Sequence, residues 1–584
     1  MAILALVPAT VRADVPPTFK GLEQYVRPDE MTRAYIIPQR IVWASSGPEA
    51  VTNAQVLLQK GTGQPEMGQR GMAKLHSSAT DTASMILDYG REIHGGLHLV
   101  MGSSSRREPS LVRIRFGESV QETSSTTCNS EWKMGFSTDD HAKRDIVVEI
   151  PRDGQIELGN TGFRFVRIDL LQRNTTISLK EAAAILRCRD VPYIGSFRSS
   201  DARLDSIWMT GAYTVHLNMQ EYIWDGIKRD RLVWLGDMHP EVSTVRSVFG
   251  YNEVIPKSLD LACAQFPLPK WMNGMTSYSM WYLIIQYEWF MQNGDLAFLN
   301  RHRDYIGGLI DLFDKTVDDK GLINGNFFLD WPSSPDKDGV NKGVRALLIW
   351  AMQDAIRLCR YTGDEARIAT CERIISRVRR HLDKPQTLKQ AAALMAVAGV
   401  MKPEKAFKDY LVKGHAHGFS TFYGYYMLEA EALAGEYEEA LNVIRQFWGG
   451  MLDMGATTFW EDFDLSWMDH TNRIDEIGDP SRKNIHGDFG GYCYPGFRCS
   501  LCHGWASGPT AWLSRHVLGV EIIEPGCRKL RICPHLGDLK FVEGSYPTPF
   551  GAVRLRHERT ESGQVKTTVV AKPNEVVLDI QQGM

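Results

Sequence analysis

Three helix stops of one chemistry recur along the middle of this 584-residue chain: Asn293-Gly294-Asp295, Thr362-Gly363-Asp364 and Ala434-Gly435-Glu436. Glycine ends a helix in the left-handed conformation, and an acid opens the next one at its positive end. The stops stand 69 and 72 residues apart. That spacing suits about two helical hairpins per interval and about six across the region, a number that closes into a toroid around a central cleft. From about Ser200 to Val520 the apolar residues follow a helical period, and Ser279–Phe290 and Arg345–Met352 are apolar nearly all round, as inner helices are. On either side the period changes to two. Leu111–Phe116, Ile146–Ile150 and Phe163–Leu170 precede the helices, and Lys529–Ile532, Leu539–Val542, Ala552–Arg556 and Lys566–Ala571 follow them. Alternation of Arg with Ile, Phe and Val indicates one buried and one wet face, as in an antiparallel sandwich. The expected architecture is a multidomain chain. A possible signal-peptide remnant (1–13) leads into an N-terminal β-sandwich region (14–195), a central (α/α)6 six-hairpin toroid (196–520) and a C-terminal β-sandwich (521–584).

Bulk properties narrow the partners. The net charge of -4 supplies no basic footprint for nucleic acid or for an acidic membrane surface. No run approaches the roughly twenty apolar residues needed to span a bilayer, so no membrane span is expected. Residues 1–13 resemble the end of a signal peptide, with an apolar stretch and a Val-Arg-Ala site but no basic start. This points to a periplasmic or secreted protein, with an ordinary cytosolic N-terminus as the alternative. The ten cysteines, Cys128 and Cys493 among them, are too sparse for a disulfide framework. Cys499-Ser-Leu-Cys502-His503 has the C-x-x-C-H spacing of haem attachment, but it stands in a large helical region rather than a small haem module. A zinc site from Cys493, Cys499, Cys502 and His503 lacks a second ligand cluster, and no loop carries a calcium-ligand spacing. No cofactor and no metal are expected.

The chemistry concentrates in Asp225-Gly-Ile-Lys-Arg-Asp-Arg-Leu-Val-Trp-Leu-Gly-Asp237. Three acids alternate there with Lys228, Arg229 and Arg231, between an apolar helical run (Leu204–Leu217) and a second helix start expected at Pro240. Acids, bases and tryptophans on a connection between core helices suit a site that binds a polyhydroxylated ligand and moves protons. The same residues also suit an ion-paired turn, since Asp225 and Arg229 stand at i, i+4. A partner carboxylate is offered by Gly455-Ala-Thr-Thr-Phe-Trp-Glu461, where Glu461 follows Trp460 in a short stretch between helical segments. Glu461 as a helix-start acid is the alternative. His503, Trp281 and Trp331 are candidates for the pocket wall, and a structural or core role is the alternative for each.

Taken together, these motifs resemble the α-L-rhamnosidases of glycoside hydrolase family 78, over essentially the whole chain. That family's pattern is D-C-P-x-R-D-E-R-x-G-W-x-G-D, then G-A-T-T-x-W-E, then S-x-x-H before the last toroid helix. Here Asp225…Arg229-Asp230-Arg231…Trp234-Leu-Gly236-Asp237, Gly455…Trp460-Glu461 and Ser500-Leu-Cys-His503 follow in the same order. Leu87–Gly90, Phe116-Gly-Glu118 and Gly162–Ile168 in the flanking β segments are similar too. The resemblance implies inverting hydrolysis of terminal α-L-rhamnosides, with Asp230 as general acid and Glu461 as general base. It implies that Asp225 and Asp237 hold sugar hydroxyls, that Arg229 tunes the charge, and that Trp234, Trp281, Trp331, Trp460 and His503 line the pocket. The chain departs from the pattern in several ways, Val233 before Trp234 in place of the family's Gly among them. An Asp stands where the family's acid is Glu, D-G-I replaces D-C-P, and one residue is missing between Asp225 and Trp234. Glu241, just after the motif, is the rival acid. A toroid glycosidase for another sugar and an inactive carbohydrate-binding homologue are the alternative functions.

Overall fold

The computed structural model describes residues 20–581, apart from 22, 28, 48, 126–143, 386 and 492–494. The leader-like segment 1–13, Cys128 and Cys493 lie outside the described residues.

The N-terminal region is one nine-stranded antiparallel sheet: β1 Met31–Ile36, β2 Arg40–Ala44, β3 Val51–Thr52, β4 Ala73–Ser77, β5 Ser84–Met101, β6 Ser110–Gly117, β7 Asp145–Ile150, β8 Gly154–Leu170 and β9 Thr175–Arg189. The strands run in the order β3-β4-β9-β5-β8-β6-β7, with β1 on β9 and β2 on β5. The three long strands β5, β8 and β9 lie together, and Leu87, Leu97, Phe163, Val166 and Ala184 build a core separate from that of the helices.

Twelve helices follow: α1 Ala202–Asn218, α2 Leu235–Val248, α3 Val254–Gln265, α4 Thr276–Asn293, α5 Leu296–Thr316, α6 Lys337–Thr362, α7 Glu365–Arg380, α8 Lys389–Val397, α9 Pro403–Ala406, α10 Gly424–Leu433, α11 Tyr437–Asp453 and α12 Gly508–Trp512. Short π turns extend α9 to Leu411 and α12 to Val517. The even-numbered helices pack in sequence, α2 on α4, α6, α8, α10 and α12, and α12 returns to α2. This is the closed inner ring of a six-hairpin toroid. Burial follows the same division: α4 is buried over nearly its whole length, whereas α7 buries only Cys371, Ile374 and Val378. Gly294, Gly363 and Gly435 are left-handed, with φ of 70°, 70° and 82°, as the helix stops require. Of the acids that follow them, Asp295 caps with its side chain, accepting from the Phe298 N–H at 2.9 Å. The hairpin count per interval differs from expectation: α5 and α6 alone fill the first interval, while α7 to α10 fill the second. Helix length makes the difference, because α6 runs 26 residues and α8 only nine.

The C-terminal region pairs Ser196–Ser199 with Phe541–Thr548, Gly551–Arg559 and Val565–Ala571 in one antiparallel sheet. A second sheet joins Val520–Glu524, Lys529–Ile532 and Val577–Ile580, the last two in parallel. Two findings depart from the expected antiparallel C-terminal unit: that parallel pair, and a strand contributed from before the toroid. Phe197 is buried in the same core as Val542, Tyr546 and the inner helices, so apolar burial draws the early strand to the late sheet.

Candidate active site

The first motif occupies the connection between α1 and α2 and the first turn of α2. The helix begins at Leu235, where the Met238 N–H donates to the Trp234 carbonyl at 2.9 Å, so Pro240 sits inside α2 instead of opening it. Asp225 closes the connection on itself. Its Oδ1 accepts from the Leu232 N–H at 3.0 Å, and its own N–H donates to the Leu232 carbonyl at 3.1 Å. The turn falls on Asp230 and Arg231, both left-handed with φ of 55° and 57°. Asp is among the few side chains that tolerate this region; for Arg it is an uncommon conformation of the kind found at functional sites.

The second motif is held by its own threonines. Thr457 Oγ1 accepts from the Glu92 N–H of β5, and Thr458 Oγ1 donates to the Leu501 carbonyl at 2.7 Å. Glu461 is fixed through its backbone: its N–H donates to the Ser500 carbonyl, and its carbonyl accepts from Thr421 Oγ1 and Trp505 Nε1. The segment from Ser500 to His503 completes the cluster. Gly504 donates to the Asp225 carbonyl at 2.8 Å, and a Cβ there would stand 1.7 Å from Glu241 Oε1, so a larger residue would have to displace that side chain.

Arg229 is the hub. Its Nη2 donates to both carboxylate oxygens of Glu461, at 2.7 and 2.6 Å, and its Nη1 lies 3.2 Å from Asp230 Oδ1. Ser500 adds a backbone N–H to Glu461 Oε2 at 2.9 Å. His503 bridges onward: Nε2 is 3.0 Å from Asp237 Oδ1, Nδ1 is 3.9 Å from Glu461 Oε1, and the Tyr278 hydroxyl donates to Asp237 Oδ2 at 3.0 Å.

These surroundings push the carboxyls in opposite directions. Burial would raise Glu461, but the positive charge of Arg229, His503 and the Ser500 N–H outweigh it and hold the carboxyl below its ordinary range. Burial raises Asp237 despite His503 and Tyr278. It raises Asp225 strongly, reinforced by the charges of Asp230 and Asp237, and Glu241 strongly, reinforced by Asp237 and Asp225. Asp462, beside Glu461, is pushed up to about 7, first by burial and then by the charge of Glu461.

The structure thus brings Asp225, Arg229, Asp230, Asp237, Glu461 and His503 into one connected cluster. Glu241 lies beneath it, 1% exposed and bonded weakly by Asn218 Nδ2 at 3.4 Å; Asp230, at 8%, is the most open of the five carboxylates. Trp234 and Trp331 are half-buried. Trp281 and Trp460 are not open rings: both are buried, Trp281 on inner helix α4 stacked on His239 and Tyr426 at 4.8 Å each, and Trp460 in its loop edge-on to Phe463 at 5.7 Å. Asp330 is buried, accepting from Ser420 Oγ at 2.5 Å and Gln390 Nε2 at 3.2 Å, which fixes the turn carrying Trp331. Cys499 and Cys502 are buried free thiols, and His503 is engaged by Asp237, so the C-x-x-C-H spacing has a packing explanation. Tyr278 was not legible as a site residue, since nothing distinguishes it from the other aromatics of α4. A cavity of about 450 Å³ lies at the other end of the ring, lined by Arg246, Glu288, Asp354 and Arg515 and by none of these carboxylates.

Residues 192–382 match the model of the bacterial alpha-L-rhamnosidase six-hairpin glycosidase domain. That match covers about a third of the chain. The chain is also similar in fold to solved structures. The GH78 rhamnosidase of Bacillus sp. GL1 superposes with a TM-score of 0.71 at 19% identity, over 91% of this chain and 55% of that one. A Klebsiella oxytoca rhamnosidase with rhamnose bound gives 0.64 at 20% identity, over 85% and 98%. The Streptomyces avermitilis alpha-L-rhamnosidase complexed with L-rhamnose gives 0.67 at 15%, over 94% and 50%. This chain therefore spans about half the length of the Bacillus and Streptomyces proteins. No curated protein matches it. No helix among the described residues is long and apolar enough to cross a membrane.

Proposed function

We propose that this chain is an inverting glycoside hydrolase that releases terminal α-L-rhamnose, with Glu461 as general base and Asp230 as general acid. The observation that carries the reading is that Arg229 contacts both Glu461 and Asp230 within one connected carboxyl cluster. Glu461 is held as the carboxylate while Asp225, Asp237 and Glu241 are pushed toward the protonated form. A base that stays ionised at neutral pH suits the activation of water. Glu461 Oε2 takes two donors and Oε1 only Arg229, which leaves Oε1 a lone pair for a water. Arg229 bridges Asp230 and Glu461 at 3.2 and 2.6 Å, which caps the separation of those oxygens at about 8 Å, compatible with the ~6.5–9.5 Å of inverting pairs. Asp225, Asp237 and His503 would hold the sugar hydroxyls, with Trp234 and Trp331 as the available aromatic faces. Asp230 is favoured over Glu241 because Glu241 is sealed beneath Gly504.

The test is release of nitrophenolate from p-nitrophenyl α-L-rhamnopyranoside. We expect turnover by the natural chain and a loss on the order of a hundredfold or more in Glu461→Gln, the usual contribution of a positioned base. Asp230→Asn should be impaired most on rhamnosides with poor leaving groups. No release from the folded natural chain would refute the reading, and rhamnose binding without turnover would favour a carbohydrate-binding homologue, to which the shortened acid at Asp230 also points.

A further inference from the structure

Among the described residues, the one group of acidic and histidine side chains arranged as a metal would need is Glu118, Glu122 and His486, whose ligand atoms lie within 4.8 Å of one another. Its centre is occupied by Lys228. The ammonium stands 3.2 Å from Glu118 Oε2, 3.0 Å from Glu122 Oε1 and 3.5 Å from His486 Nε2, and the lysine is 1% exposed. Nζ also donates to the carbonyls of Phe497 at 2.5 Å and Cys499 at 3.0 Å, while the next residue, Arg229, donates from Nε to the Arg498 carbonyl at 2.9 Å. Two consecutive side chains therefore grip three consecutive carbonyls. The same segment continues into Ser500, whose N–H donates to Glu461, and Leu501, whose N–H donates to Glu118 Oε2 at 2.7 Å. Glu118 and Glu122 come from the N-terminal β region, where Arg144 pairs with Glu122 at 2.9 Å.

We infer that Lys228 is a positioning residue for Glu461: an internal cation that locks the segment Phe497–Leu501 to the N-terminal β region, so that the Ser500 N–H and Arg229 meet the base in register. The inference rests on the proposed role of Glu461. A buried ion pair is by itself weak grounds for stability, since desolvation offsets much of the attraction. What distinguishes this one is that its acceptors include the peptide groups directly preceding Ser500. A solvated surface pair could not set that register, and a metal is not needed for it. The charged and titratable groups around Lys228 are Glu92, Glu118, Glu122, Arg144, His486 and Cys499; those around Glu461 are Arg229, Asp230, Asp462, Cys499 and His503.

The experiment is the pH profile of kcat/KM for Lys228→Met on the nitrophenyl rhamnoside, beside hydrogen exchange over residues 497–501. We expect kcat to fall about tenfold or more with KM little changed, as for a group acting on the transition state alone. The acid limb should move to higher pH, because Glu461 loses donors that hold it ionised. Exchange at Ser500 and Leu501 should quicken. If Lys228→Met does not fold, Lys228→Met with Glu118→Gln, which leaves Glu122 with Arg144, is read in its place. A folded variant with an unmoved acid limb and natural exchange at Ser500 would overturn the proposal, even if it melts earlier, since lower stability alone shifts neither. Should the natural chain leave the rhamnoside uncut, the proposed function fails, and the exchange measurement still decides whether Lys228 locks the segment.

Discussion

Replacing Arg229 with leucine removes the guanidinium that Glu461 shares with Asp230, and its consequences can be worked from the geometry. Both side chains of the pair are buried, 4% and 1% exposed, and the lost contacts are the 2.7 and 2.6 Å bonds to Glu461 and the 3.2 Å approach to Asp230. Truncating one member of a buried pair costs about 3–5 kcal/mol, because the other charge is left desolvated. Glu461 would keep the Ser500 N–H and the distant His503, too little to offset burial, so its pKa should rise instead of fall. The sign follows. In the natural chain the lowered carboxyl stabilises the fold above its unfolded value, and that contribution is lost as pH falls through the folded value. In Arg229→Leu the raised carboxyl stabilises below the unfolded value, and its contribution is lost as pH rises. The stability gap between the two proteins should therefore widen with pH from about 4.5 upward, by at most about 1.4 kcal/mol per pH unit for one proton. Urea midpoints followed by tryptophan fluorescence from about pH 5 to about pH 8 measure it, alongside the acid limb of kcat/KM. A gap that stays flat across that range, with an unmoved acid limb, would refute the reasoning.

Glu241→Gln should unfold at higher urea than the natural chain on the alkaline side. A carboxyl raised by burial and by Asp237 and Asp225 loses its contribution as pH climbs through the folded value, whereas an amide does not titrate; equal midpoints at high pH would count against it. Trp281→Ala should cost about 3–5 kcal/mol of stability, because the ring is fully buried on His239 and Tyr426; an effect confined to KM would show a sugar-facing ring instead. Gly504→Ala should cost on the order of 1–3 kcal/mol, since its methyl would overlap Glu241 Oε1, and pairing it with Glu241→Ala should recover part of the loss in a thermal melt.

Local signals decided much of this protein from its sequence. The change of apolar period at each end of the helical region, the left-handed glycines at 294, 363 and 435, and the inward faces of α4 and α6 are properties of short windows, and short windows are what propensity and periodicity report. Motif order likewise named Asp225, Asp230, Asp237, Glu461 and His503 as candidates. Only tertiary packing could decide what those residues do to one another. Arg229 and Glu461 are 232 positions apart, and their contact is what holds that carboxyl ionised while burial drives Asp225 and Glu241 the other way. Lys228 reads as one charge among six in the motif until Glu118 and Glu122 from the N-terminal region close around it. Trp281 reads as a pocket-wall candidate until the ring of inner helices buries it, and Ser196–Ser199 reads as part of the helical region until the last sheet claims it. In each case the missing quantity was long-range. Desolvation, charge pairing and strand partnership depend on which distant segments the closed fold brings within a few ångströms.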